Sequence, residues 1–342
     1  MRNFRKILKT VGVFLLIVSL LSAFFIGCYL KGENYHYQDG RERDEAAGSV
    51  TTLLCGTSYT LFGIHPEEIN AIMGVKCYSL AGTMLTLRGR YELLAQELDR
   101  NPKVHTVILE VSPDTLTRVR EEEGPKGDLP MLGRITNASQ RWRYFKAAFS
   151  VAEWPEVYYD LLSKGMDSAL RLINGTYTTE NQFMRSGYYE NQYEDKYIPS
   201  NYAELYKAQS LPETVNPENV EWLEKLITLC RDHGATVFLI TPPQSKYYNC
   251  VYANLDFYQD WYVKFAAENG LAYYNFNLAK NKLELLPDET CYYDETHLNT
   301  EGGVIFTKML ADIISHHWHG RDNSFYFFNS YEELTWASNY FD

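Results

Sequence analysis

Residues 11–30, VGVFLLIVSLLSAFFIGCYL, carry no charge. Twenty apolar or small residues at about 1.5 Å each match roughly 30 Å of hydrocarbon. Arg2, Arg5, Lys6 and Lys9 precede the run with no acid among them. The positive-inside rule then leaves residues 1–10 in the cytoplasm and residue 31 onward outside. A cleavable signal peptide has the same basic flank. FIGC at 25–28 also loosely resembles a lipoprotein cleavage site, although Phe25 fits poorly there. All three readings carry the rest of the chain across the membrane, and a retained single-pass anchor is the preferred one.

Of the 342 residues, 45% are hydrophobic, enough for one large α/β domain with an insertion or for two ordinary domains. The formal net charge of −12 argues against a general nucleic-acid binder, because phosphate neutralisation needs clustered Lys and Arg. Cys28 lies in the apolar run, which leaves Cys55, Cys77, Cys230, Cys250 and Cys291. Five irregularly spaced cysteines are not a disulfide framework, although a Cys250–Cys291 bridge stays open. No spacing resembles a zinc site, and no cofactor is called for.

Residues 31–48 are polar and charged, and read as a stalk. SVTTLLC (49–55) is short, apolar and β-branched, and reads as a buried strand. HPEEINAIMG (65–74) has Pro66 at a helical first turn and Gly74 at its end. VKCYSL (75–80) predicts a second strand, residues 84–101 a helix, and TVILEV (106–111) a third strand. From 114 to 215 the pattern breaks into a segment rich in Tyr, Trp, Arg and Asn, with helical pieces near 141–173. It reads as an insertion or cap. Alternation resumes with a helix at 217–233, the strand ATVFLI (235–240), a helix at 253–269, the strand LAYYNF (271–276) and a last helix at 300–316. Residues 316–342 form a C-terminal extension. Five strands alternating with helices predict a three-layer α/β/α sandwich around a parallel sheet. Such sheets bind ligands at the carboxyl ends of their strands.

LLCGTSYTLFG (53–63) places Gly56, Thr57 and Ser58 at such an end. A serine hydroxyl is a weak nucleophile and needs a base, and the base needs a third group to hold its tautomer. Among eight histidines, His297 stands apart: it lies in YYDETHLNTEGG (292–303), three residues after Asp294 and just before the final helix. A tight turn of this spacing can aim the carboxylate at Nδ1–H and leave Nε2 for the serine. Leu298 can anchor the turn, Asn299 or Thr300 can cap the next helix, and Gly302 and Gly303 let that helix approach the sheet. Each piece alone has a simpler reading, since small residues end many strands and Asp-x-x-His can be a helix cap. Together, at the carboxyl ends of strands, they make a stronger case for a Ser58–His297–Asp294 arrangement than either piece does alone. TPPQSKYY (241–248) follows the fourth strand, so Gln244, Ser245 or Lys246 can line the site, or form only a Pro-Pro rim turn. The tyrosine-dense stretch 187–206 suits sugar stacking and a half-buried loop equally.

LLCGTSYTLFGIHPEEI resembles the nucleophile block of the SGNH (GDSL-type) hydrolase superfamily, YSLAGTM (78–84) its glycine block and YYDETHLNTEGG its Asp-x-x-His block. More closely, the chain resembles membrane-anchored members that acylate cell-surface polymers: the D-alanyl-lipoteichoic acid biosynthesis protein and the alginate O-acetyltransferase accessory proteins. The resemblance covers roughly 49–113 and 217–315. It implies a flavodoxin-like fold, with Ser58 as nucleophile, His297 as base and Asp294 as orienter. It implies the backbone N–H groups of Ser58 and Gly82 as oxyanion donors, with Thr57 and Ser112 beside them. It further implies an extracytoplasmic acyltransferase or esterase, a glycopolymer acceptor and a multipass membrane acyltransferase as partner. Two departures stand out. Thr57 replaces the usual Asp before the serine, and VILEVSPDTL has Ser112 and Pro113 but lacks the Asn that usually supplies an oxyanion donor. Loss of one such donor costs about 3–4 kcal/mol of transition-state stabilisation. A non-catalytic polymer-binding or scaffold module is the alternative.

Overall fold

Five short strands form one all-parallel sheet in the computed structural model, which describes residues 2–32, 34–119, 126–176, 184–189, 198 and 202–337. The strands are β1 (Thr52–Cys55), β2 (Cys77–Ser79), β3 (Thr106–Glu110), β4 (Thr236–Thr241) and β5 (Ala272–Asn275), in spatial order β2-β1-β3-β4-β5. That is the doubly wound order whose switch point lies between β1 and β3. The helices that matter below are α1 (Arg2–Gly32), α2 (Asn34–Ala46), α3 (Ser58–Gly63), α4 (Pro66–Met73), α5 (Leu87–Arg100), α6 (Ala138–Ala148), α7 (Trp154–Ile173), α8 (Pro217–Asp232), α9 (Leu255–Glu268) and α10 (Thr300–Trp318).

Side chains on successive strand residues point to opposite faces, so the sheet needs cover on both. Leu53, Val107, Leu109 and Leu239 pack in one cluster with Leu94 of α5, Ile227 of α8 and Tyr262 of α9. Leu54, Ile108, Phe238 and Ile240 pack in a second with Ile69 of α4 and with Phe306 and Leu310 of α10. The three-layer α/β/α expectation therefore holds, with strand and helix ends shifted by one to three residues. Asn299 caps α10 by accepting from the Gly302 N–H at 2.9 Å, and Gly74 ends α4 in the left-handed region at φ 67°. All six cysteines are free.

The apolar run lies within α1, the one helix among the described residues long and apolar enough to cross a membrane. Its far end is built into the protein. Tyr29 is buried in a third cluster with Leu85, Leu93, Leu132, Tyr144 and Leu161. The insertion thus contributes α6 and α7 to a small core of its own, shared with α1 and α5. The Ser22 and Tyr158 hydroxyls are 2.6 Å apart, and a Cβ on Gly165 would overlap the carbonyl of Phe25. Much of the tyrosine-dense stretch 187–206 lies outside the described residues.

The polar segment expected as a stalk is a docked helix, α2. Asp39 and Arg43 are 0% and 1% exposed. Asp39 pairs with Arg134 and accepts the Tyr78 hydroxyl at 2.5 Å, and Arg43 pairs with Glu97 at 3.2 Å. Arg134 also donates to the carbonyls of Ser79 and Ala81, so α2 is tied to the end of β2. Charge-rich composition suggested solvation, but here the charges neutralise one another inside the protein. Removing one member of a buried ion pair strands its partner and costs about 3–5 kcal/mol. Asp39→Ala should lower the urea unfolding free energy of the full chain by that order. A free stalk would change it by less than about 0.5 kcal/mol.

Candidate active site

The end of β1 is fixed by a carboxylate that sequence reasoning passed over. Glu110, the last residue of β3, is fully buried. Its Oε2 accepts the Thr57 N–H at 2.7 Å, the Thr60 N–H at 3.1 Å and the Thr60 hydroxyl at 2.8 Å, while Oε1 accepts the Thr57 hydroxyl at 2.7 Å. Arg90 balances the charge, 3.8 Å from Oε1, and its guanidinium also donates to the Glu110 carbonyl at 2.9 Å. A negative charge at the start of α3 satisfies amides that have no partner in the helix itself. Gly56 is required because a Cβ there would overlap both the Thr60 hydroxyl and the Glu110 carboxylate. The chain therefore turns sharply at Thr57, and Ser58 becomes the first residue of α3.

The histidine comes from the far side of the sheet edge. Residues 291–299 close on themselves: Tyr293 N–H donates to the His297 carbonyl at 2.8 Å, and Asn299 N–H to Cys291 at 3.0 Å. Leu298 is 3% exposed and anchors the loop in the core, as its sequence position suggested. Ser245 holds the loop from below, its N–H and hydroxyl donating to the Glu295 carbonyl at 3.1 and 2.7 Å. The result brings together all three residues predicted for the triad. Ser58 Oγ lies 2.8 Å from His297 Nε2, and His297 Nδ1 lies 2.9 and 3.0 Å from the two Asp294 oxygens. Asp294 Oδ1 also accepts the N–H groups of Thr296 at 2.9 Å and His297 at 2.8 Å. Partial burial alone would raise the Asp294 pKa. The hydrogen bonds and charge of His297, with the two backbone amides, outweigh it and hold the carboxyl far below the ordinary range.

Tyr59 stacks on the imidazole with ring centres 5.3 Å apart, and Phe62 meets it edge-on at 5.8 Å. Burial, then the charges of Asp114 and Glu110, push the Tyr59 phenol well above its usual range, so it stays neutral against the ring. A small cleft opens beside Thr57, lined also by Met84, Thr86, Asp114, Arg118 and Asn219.

The other residues singled out in the sequence have different partners. Thr57 gives both its donors to Glu110. The Gly82 N–H, an expected oxyanion donor, donates to the Gly56 carbonyl at 3.3 Å. Ser112 is 1% exposed and caps the short helix 113–117 in a capping box with Thr115. Gln244 is 2% exposed and exchanges hydrogen bonds with Asn277 at 2.8 and 2.6 Å. Lys246 starts the helix 246–251, and its backbone N–H donates to Asp288 at 2.7 Å. Among the described residues no acceptor takes the Ser58 N–H, an amide of the first turn of α3. The missed residue, Glu110, had one visible signal: a lone carboxylate inside the central strand TVILEV. No family model matches the chain, and no curated protein matches it.

Two measurements test this geometry. Glu110→Ala strands four donors and Arg90, so the unfolding free energy should fall by about 3–5 kcal/mol, read from urea titration. Asp294 has a depressed folded-state pKa. Its contribution to stability is complete above the ordinary carboxyl range of about 4 and fades as pH falls below it. The wild-type chain should therefore lose more stability between about pH 5 and pH 2 than Asp294→Asn does. Parallel acid profiles would remove Asp294 from this role.

Proposed function

We propose that this chain is a membrane-anchored serine acyltransferase or esterase that works through an acyl-enzyme at Ser58. The observation that carries the reading is the 2.8 Å approach of Ser58 Oγ to His297 Nε2, with Asp294 on the other ring nitrogen. Ser58 Oγ attacks an ester or thioester carbonyl as His297 Nε2 takes its proton. Asp294 stabilises the imidazolium and fixes its tautomer. Collapse of the tetrahedral intermediate expels the leaving group, which receives that proton from His297. An acceptor hydroxyl, from a glycopolymer or from water, then loses its proton to His297 and attacks the acyl carbonyl. Breakdown returns the proton to Ser58. The Ser58 N–H is the donor left for the oxyanion. The resemblance to anchored members of the SGNH superfamily supports a cell-envelope polymer as acceptor and a multipass membrane acyltransferase as partner. The packing of Ile26, Tyr29 and Leu30 into the insertion's core supports a retained anchor, because cleavage after them would remove part of that core.

One observation favours a non-catalytic binding module instead: the Thr57 and Gly82 amides are both engaged. A fluorophosphonate probe separates the two. The enzyme reading expects labelling of the wild type, none of Ser58→Ala, and a fall of about 10⁴-fold or more in labelling rate for His297→Ala. A wild-type chain that never labels, with Ser58→Ala binding polymer equally well, establishes the module.

A further inference from the structure

The peptide group between Glu295 and Thr296 joins two sets of hydrogen bonds. Its N–H end donates to Asp294 Oδ1 at 2.9 Å. Its carbonyl end accepts twice from Ser245, from the N–H at 3.1 Å and from the hydroxyl at 2.7 Å. The same Asp294 oxygen lies 2.9 Å from His297 Nδ1. One planar unit therefore separates Ser245 from the carboxylate that faces the imidazole.

The Ser245 hydroxyl is fully committed. It carries a single proton. Its oxygen accepts the Tyr248 N–H at 3.0 Å, which caps the helix 246–251, and the proton goes to the Glu295 carbonyl. The residue is fully buried, so water does not compete for that proton. Buried acceptors pin the backbone on either side of it. The Gln244 N–H donates to Asn277 Oδ1 at 2.8 Å, and the Lys246 N–H to Asp288 Oδ1 at 2.7 Å. Asn277 and Asp288 are both buried. The Tyr292 hydroxyl adds another tie between loop and turn, donating to the Gln244 carbonyl at 3.0 Å.

A peptide group held at its carbonyl end cannot rotate without carrying its N–H along. Donors on the carbonyl also draw electron density from the amide, which strengthens its N–H as a donor by about 10–30% per bond. We propose that Ser245 is a positioning residue for the Asp294–His297 pair, acting through the 295–296 peptide group. It aims and polarises the Thr296 N–H, which in turn holds the Asp294 carboxylate against the imidazole. A side chain suggested by sequence as part of the site's lining thus serves the site from behind. This deepens the catalytic reading and rests on it only for the effect on rate.

The test uses the full chain in detergent micelles, with isotope-labelled threonine and histidine for proton–nitrogen NMR. The Thr296 amide signal is identified by its loss in Thr296→Ser, and the His297 Nδ1–H signal by its loss in His297→Gln. Ser245→Ala should move both signals upfield. It should also slow fluorophosphonate labelling of Ser58 by roughly 3- to 10-fold, the worth of one net hydrogen bond. Ser245→Thr keeps the hydroxyl and should restore signals and rate. Should Ser245→Ala fail to fold, Ser245→Cys keeps the shape with a weaker donor and is judged by the same two signals. Thr296 and His297 signals that stay in place overturn the inference, and slower labelling then reports only the lost cap of the helix 246–251. A wild type that never labels, with both signals moving as expected, removes the enzyme and keeps the positioning role.

Discussion

A single buried carboxylate sets the geometry on which the rest depends. Glu110 sits at the end of the central strand and collects two backbone amides and two hydroxyls from the turn that follows β1. Burying a lone carboxylate costs several kcal/mol, and only full satisfaction of its oxygens with a facing cation makes the position tolerable. Arg90 and the four donors supply that satisfaction. In return the turn has one conformation. The small residues Gly56 and Thr57 serve this clamp, and their apparent purpose as a ligand surface is secondary.

The opposing loop is held by different means. A short backbone bridge between Tyr292 and Leu298 closes it, the Leu298 side chain buries it, and Ser245 supports it from the neighbouring strand end. Two loops 239 residues apart in sequence are thus positioned independently on one sheet edge. The triad is half-buried, with Asp294 and His297 side chains 26% and 23% exposed. The imidazole is thereby reachable while Tyr59 and Phe62 restrict its solvation.

Much of this was legible in the sequence. The five strands declared themselves because short apolar or aromatic runs alternate with helical spacing, and the Ser58, His297 and Asp294 set because these residues stood beside strand ends. What stayed hidden was the choice of partner. Thr57 and Gly82 carry donors that could have faced a substrate, and only the folded backbone reveals that Glu110 and Gly56 take them. Gln244 reads as a site-lining residue because it follows the fourth strand, and Ser112 through the resemblance, yet both are buried with other hydrogen-bond partners. The segment 31–48 misled for the same reason. Its charges looked solvated, whereas Arg43 and Asp39 find complementary charges on Glu97 and Arg134, 54 and 95 residues away in sequence.

The docking of α2 has a mechanical consequence. A flexible tether would let the domain swing and sample many heights over a surface. With Asp39, Tyr78 and Arg134 locking α2 to the end of β2, the domain is mounted rigidly on the helix that precedes it. The serine then holds a fixed standoff and a fixed tilt relative to α1. Were α1 to span a bilayer, Ser58 would be held at one height above it, set by this packing and not by the length of a tether.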